Sequence, residues 1–187
     1  MRVKRGEYGY IRAKKRSSLI KTIIMAVVGI VIFLIGLFLN HMSNRNLFTV
    51  LAVLCVLPGA KFLVAFIVLF PHKTVSSEVY EKAKGKLTDG MTLYADLVIT
   101  SSEKVMHLDL LAVGNGQVIG LVAKDKQELP YIRKYLTGGV HNWGEEYKVK
   151  IVESEKTFFA ELSGAAPAEV DEEEEKKVKS YILSLIV

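Results

Sequence analysis

The sequence predicts an α/β membrane protein, a two-helix transmembrane hairpin followed by a small mixed α/β domain. Three observations predict it. Residues 22–39 contain no charged side chain, and residues 47–70 contain one, Lys61. After Pro71 the long apolar runs give way to short β-branched strands and amphipathic helices, punctuated by Gly, Ser and Asp. The charges are segregated as well: residues 1–21 hold eight basic groups against one acid, Glu7, whereas residues 71–187 hold 15 against 19. The basic character of the chain (pI about 9.2) therefore resides in its N-terminal tail. Three regions follow: a basic tail at 1–21, the hairpin at 22–70 and a domain at 71–187. With 14 Gly, 4 Pro, 1 Cys and half its residues hydrophobic, the chain is neither collagen-like, nor disulfide-stapled, nor disordered.

Both apolar stretches approach or exceed the ~20 residues needed to cross ~30 Å of hydrocarbon. A retained span is expected for the first rather than a signal peptide, because its apolar run is longer than an h-region and no small-x-small cleavage site follows at Asn40-His41-Met42. Basic residues flank the pair on the side of the chain ends: eight before residue 22, then Lys73, Lys82, Lys84 and Lys86 after it, against Arg45 alone in the connecting loop. The positive-inside rule then places both termini in the cytoplasm and the loop outside. The same tail is attracted to anionic headgroups. As a topology signal it needs no nucleic acid to explain it.

Ala26, Gly29, Phe33 and Gly36 gather small side chains on one side of the first helix, facing the second. Cys55 lies within the second helix as a small apolar group. Lys61 is the exception, a charge in a span with no acid to pair it. Two readings stand for it: a polar path or partner that supplies a counter-charge, as in a channel or transporter component, or a snorkelling side chain near Pro58-Gly59, where the helix breaks.

In the domain, Ser76 or Ser77 caps a polar helix reaching about Leu87, and Asp89-Gly90 forms a turn. Residues 93–100 and 104–113 read as strands, Gly114-Asn115-Gly116 as a hairpin turn, and residues 117–124 as the returning strand. Residues 127–136 read as a helix with Pro130 in its first turn, ended by Gly138-Gly139. A fourth strand covers 147–152, a short helix 157–162, and a last helix starts at Asp171, its early acids and later lysines matching the helix dipole. The chain ends in the apolar run 181–187, which should dock on the sheet or on the bilayer surface. Three strands joined by short turns must be antiparallel neighbours; the fourth, after a helical crossover, should add in parallel.

The order α-β-β-β-α-β, with His107-Leu108-Asp109-Leu110-Leu111 in the second strand and Val122-Ala123-Lys124 in the third, resembles the restriction-endonuclease-like (PD-(D/E)xK) superfamily. That resemblance implies a nuclease-like fold in which Asp109 and Lys124 occupy catalytic positions and Mg²⁺ is the cofactor. Val122 stands where the family has a carboxylate, and Asp109 alone is a poor Mg²⁺ site. Asp96 on the first strand, or Glu78 or Glu81 on the first helix, could substitute; Asp125 points to the opposite face. A net charge of −4 on residues 71–187 also suits nucleic acid poorly.

His107 and Asp109 share a strand face, but His41, His72 and His141 show no ligand spacing around them, so a buried histidine is favoured and no metal is expected. Gly114-Asn115-Gly116 lacks the following helix of a dinucleotide site, and no Gly-x-Ser-x-Gly or soluble Cys offers a nucleophile. Trp143 sits in a Gly-rich loop, as a partner-binding anchor or as loop packing. The expectation is a non-enzymatic, multi-pass protein of a bacterial inner (cytoplasmic) membrane. Its domain, a catalytically degenerate nuclease-like fold, would engage another membrane or cytoplasmic protein or a second copy of itself. A membrane-tethered, Mg²⁺-dependent nuclease is the alternative.

Overall fold

A computed structural model describes residues 3–123, 127–166, 168 and 170–187. The chain divides into two compact units, one comprising Met1–Ile11 and His72–Val187, the other Arg12–Pro71.

The first unit is a mixed α/β layer structure. Its elements are α4 (Ser77–Lys84), β1 (Thr92–Thr100), β2 (Val105–Gly114), β3 (Gln117–Val122), α5 (Leu129–His141), β4 (Lys148–Val152), α6 (Glu155–Gly164) and α7 (Glu172–Leu185), preceded in the chain by α1 (Tyr10–Leu39), α2 (Leu47–Leu54) and α3 (Val56–Leu69). The sheet order is β1-β2-β3-β4. The first two pairings are antiparallel, and β4 adds parallel to β3 after the α5 crossover, as the connection lengths require. One sheet face packs Leu97, Leu108 and Val118 against Ile132 and Leu136 of α5 and Val178 and Ile182 of α7. The other packs Ala95, Leu110 and Ile119 against Ala83 of α4 and Phe158 and Leu162 of α6. The β2–β3 turn is a two-residue loop with Asn115 and Gly116 both at positive φ (+53° and +66°), the type I′ geometry whose twist matches the strands it joins.

Three expectations need correction. The Gly138-Gly139 pair does not end α5, which runs to His141. Gly139 is there for proximity: a Cβ at this position would lie 1.8 Å from the Tyr181 hydroxyl of α7, so the glycine admits the neighbouring helix. The third strand stops at Val122 rather than Lys124, which lies outside the described residues. The N-terminal residues 3–11 are not merely a basic tail, because they pack onto the sheet and Tyr10 enters its core.

Both chain ends cover the free edge of β1. The Ala95 N–H donates to the Gly6 carbonyl (2.8 Å), and the Val187 N–H donates to the Val98 carbonyl (3.1 Å). The Tyr10 hydroxyl donates to the Val187 carbonyl (2.8 Å), fastening one terminus to the other. Two backbone groups of an edge that would otherwise stand unpaired, the Ala95 N–H and the Val98 carbonyl, are thereby satisfied. The apolar C-terminal run therefore docks on the sheet, through Ile186 beside Ile99.

The second unit is an antiparallel helix pair. α1 has 30 residues, and α2 with α3 forms a 23-residue partner, Leu47–Leu69; both are long and apolar enough to cross a membrane. The partner is interrupted at Cys55, three residues before Pro58. Pro58 has no N–H for the Leu54 carbonyl four residues back and its ring crowds that carbonyl, so the break falls where the ladder loses a bond. Gly29 and Gly36 face this partner as the small-residue pattern predicts: a Cβ on Gly36 would lie 2.4 Å from that of Phe48, and one on Gly29 3.5 Å from that of Cys55. The Asn46 side chain caps α2 through the Thr49 N–H (2.9 Å) and donates to the Gly36 carbonyl (3.2 Å).

Candidate functional site

The sheet carries a paired irregularity. Asp96 on β1 and Asp109 on β2 fall opposite each other and are left unpaired within an unshifted β1–β2 register, while β2 bulges by one residue against β3 between Leu108 and Leu110. The consequence is a change of face. Leu97 and Leu108 belong to the core under α5 and α7, whereas Ala95 and Leu110, two residues away, belong to the core under α4 and α6. Ordinary pleating keeps residues two apart on one face; a bulge re-aims them. The strand β3 runs straight past, with adjacent Leu121 and Val122 opposite Leu110 and Leu108.

Asp96 is the one buried carboxylate among the described residues, and it holds a left-handed backbone conformation (φ +58°). Asp tolerates that conformation better than a β-branched neighbour would. Its Oδ2 accepts from the Ile11 N–H at the start of α1 (3.3 Å), and its Oδ1 accepts from the Val75 N–H (3.0 Å). Burial pushes the carboxyl above its ordinary range, and the Val75 and Ile11 N–H groups act against that push by favouring the ionised form. One side chain thus supplies acceptors to both segments that connect this unit, at Ile11 and His72, to the rest of the chain. The substitute-ligand role that the sequence left open for Asp96 is not the one its contacts describe.

Asp109, 22% exposed at the side chain, lies beside the buried His107, with Oδ1 3.9 Å from Nε2. The structure brings His72 to the same place, its ring 4.7 Å from that of His107, a proximity the sequence spacing did not indicate. The Gln127 side chain closes the strand here. Its Oε1 accepts from the His107 N–H (2.7 Å) and its Nε2 donates to the His107 carbonyl (2.8 Å), an amide standing in for a neighbouring strand residue. Val122 lies in the opposite layer, 3% exposed and packed in the core that holds Leu108. Among the described residues, no group of three His, Cys, Asp or Glu side chains has the geometry to hold a metal ion. Glu78 lies in the first turn of α4, and Glu81 is exposed farther along the same helix.

The chain matches no protein-family model, no curated protein and no solved structure. Fold and function rest on the residues themselves.

Two further residues singled out by sequence have clear surroundings. Trp143 is 48% exposed and stacks on Tyr181 with ring centroids 6.3 Å apart. Lys61 is exposed on α3. Asp96, His72 and Gln127 were missed as a group. Asp96 alone left a trace: an acid inside the apolar strand 93–99 must be paired or neutralised if it is buried.

Proposed function

We propose that this chain is an integral membrane protein whose helix pair crosses the bilayer, with both termini on the cytoplasmic side. There it presents the α/β unit as a non-enzymatic interaction domain. One observation carries the membrane half. Only 6% of the most apolar window of α1 is buried, and none of that of Leu47–Leu69. A core helix of a water-soluble protein hides its apolar face, and these helices turn theirs outward, so lipid is the solvent that suits them. The segregation of basic residues supports the orientation.

The non-enzymatic half is supported by Val122. The position where a nuclease of the resembled superfamily needs a second oxygen ligand is filled by hydrocarbon inside an apolar core. Trp143, exposed and backed by Tyr181, supports an aromatic contact surface for a protein partner.

The test has two arms. Carbonate washing should leave the protein in the membrane fraction; its release would end the membrane reading. Incubating the detergent-purified full chain with DNA or RNA and Mg²⁺ or Mn²⁺ should leave the nucleic acid intact. Cleavage that disappears in Asp109→Ala would replace the interaction reading with a tethered nuclease.

A further inference from the structure

The facing pairs of the helical unit define one antiparallel register. Gly36 meets Phe48, Gly29 meets Cys55 and Gly59 meets Met25. At the end of the unit toward the chain termini, the Lys21 ammonium sits 5.2 Å over the Phe62 ring, and the Lys15 ammonium donates to the Phe70 carbonyl (2.8 Å). This register puts Lys61 level with Ile23. At 1.5 Å per residue that is about 3 Å from the level of Lys21, and about 11 Å from the midpoint of the charge-free stretch 22–39. Lys61 therefore lies off the midpoint of that stretch, on the side that carries Lys21, from which a lysine stem can extend toward the headgroups. It belongs to the same end of the pair as Lys21.

We propose that Lys21 and Lys61 form a docking site for the phosphate of an anionic phospholipid at the basic end of the helix pair. The inference rests on the membrane reading above and adds its lipid partner. Arg12–Pro71 contains seven basic residues and no acid, so the charge of Lys61 finds no counter-ion within its own unit. Both lysines are exposed, and at the depth the register gives them the first negative groups outside the protein are headgroup phosphates. The ring of Phe62 lies against the Lys21 ammonium at that level. The opposite end of the pair has Arg45 alone.

Full-length protein reconstituted in phosphatidylcholine vesicles, with trace spin-labelled phosphatidylglycerol or spin-labelled phosphatidylcholine, reads the preference directly. The immobilised component should be larger for phosphatidylglycerol. Lys21→Gln/Lys61→Gln should reduce that preference by about fivefold or more, each of the two charges removed being worth about 1 kcal/mol, a factor of about five. Lys21→Arg/Lys61→Arg should retain it, and Arg45→Gln should leave it unchanged. Equal binding of the two lipids by the wild-type protein, full preference in the double Gln variant, or an equal loss in Arg45→Gln would each overturn the proposal. Carbonate extraction of the same samples separates the two claims: a resistant protein without the preference refutes the lipid site alone, whereas an extracted one refutes the membrane reading and this site with it.

Discussion

Leu, Ile and Val fill both units of this chain and do opposite things in them. In the α/β unit Leu97, Leu108, Ile119 and Leu136 are fully shielded from solvent. In the helical unit Ile30, Leu34 and Leu57 are more than half exposed. The first arrangement makes a core by turning apolar faces toward each other across a sheet. The second satisfies its backbone within each helix and leaves the apolar side chains exposed. The same residue types therefore signal a core or an exposed helix face according to whether polar residues interrupt them at the period of a strand or a helix, or do not interrupt them at all.

The largest test of this contrast is a pair of truncations measured by chemical unfolding in detergent. Leu108→Ala should cost about 3–5 kcal/mol, the transfer free energy of the side chain plus the cavity it leaves. Ile30→Ala, at a position 58% exposed, should shift stability by less than about 0.5 kcal/mol. Equal losses at the two positions would show that the helical unit buries its side chains after all.

Asp96→Ala sharpens the comparison, because the α/β unit buries an ionisable side chain and the helical unit buries none of its own, Lys61 being exposed. Removing the carboxylate leaves the Val75 and Ile11 N–H groups without their acceptor and should cost about 2–3 kcal/mol. Asp96→Asn keeps an acceptor and should cost less. Faster hydrogen exchange at the Val75 and Ile11 amides in the Ala variant would locate the loss.

The same residue gives a pH dependence with a defined sign. Its folded-state pKa is raised, chiefly by burial, so between the ordinary carboxylate value and the raised one the folded state binds more protons than the unfolded state. The contribution of Asp96 to stability is then fully present below about pH 4 and is lost as pH rises through the raised value. Unfolding midpoints of the wild type and of Asp96→Asn, followed upward from about pH 4, should converge if this assignment holds. A wild type that gains on the Asn variant over that range would reverse it.

The smallest effect belongs to Trp143. Its ring is half exposed and rests on Tyr181, so Trp143→Ala should change stability by less than about 1 kcal/mol. A larger loss in the unfolding midpoint would make Trp143 a packing residue of the loop and remove it from the proposed contact surface.

Periodicity alone determined a good deal of this protein. The long apolar runs, the Gly114-Asn115-Gly116 turn, a serine cap at Ser76 or Ser77 and the antiparallel-then-parallel strand order are all local or follow from connection length, and the structure contains them, with Ser76 as the cap. Tertiary structure alone decided the rest. Gly138 and Gly139 look like a helix stop until Tyr181 of α7 requires the space beside Gly139. Lys61 looks central in its own segment until the facing pairs of the two helices set it level with Ile23 of α1. Asp96 becomes intelligible only when Ile11 and Val75, distant in sequence, bring their N–H groups to it. The physical reason is common to all three. A residue's local pattern records the element it belongs to, whereas its solvent, its neighbours and its charge partner come from segments that meet it only after the chain has folded.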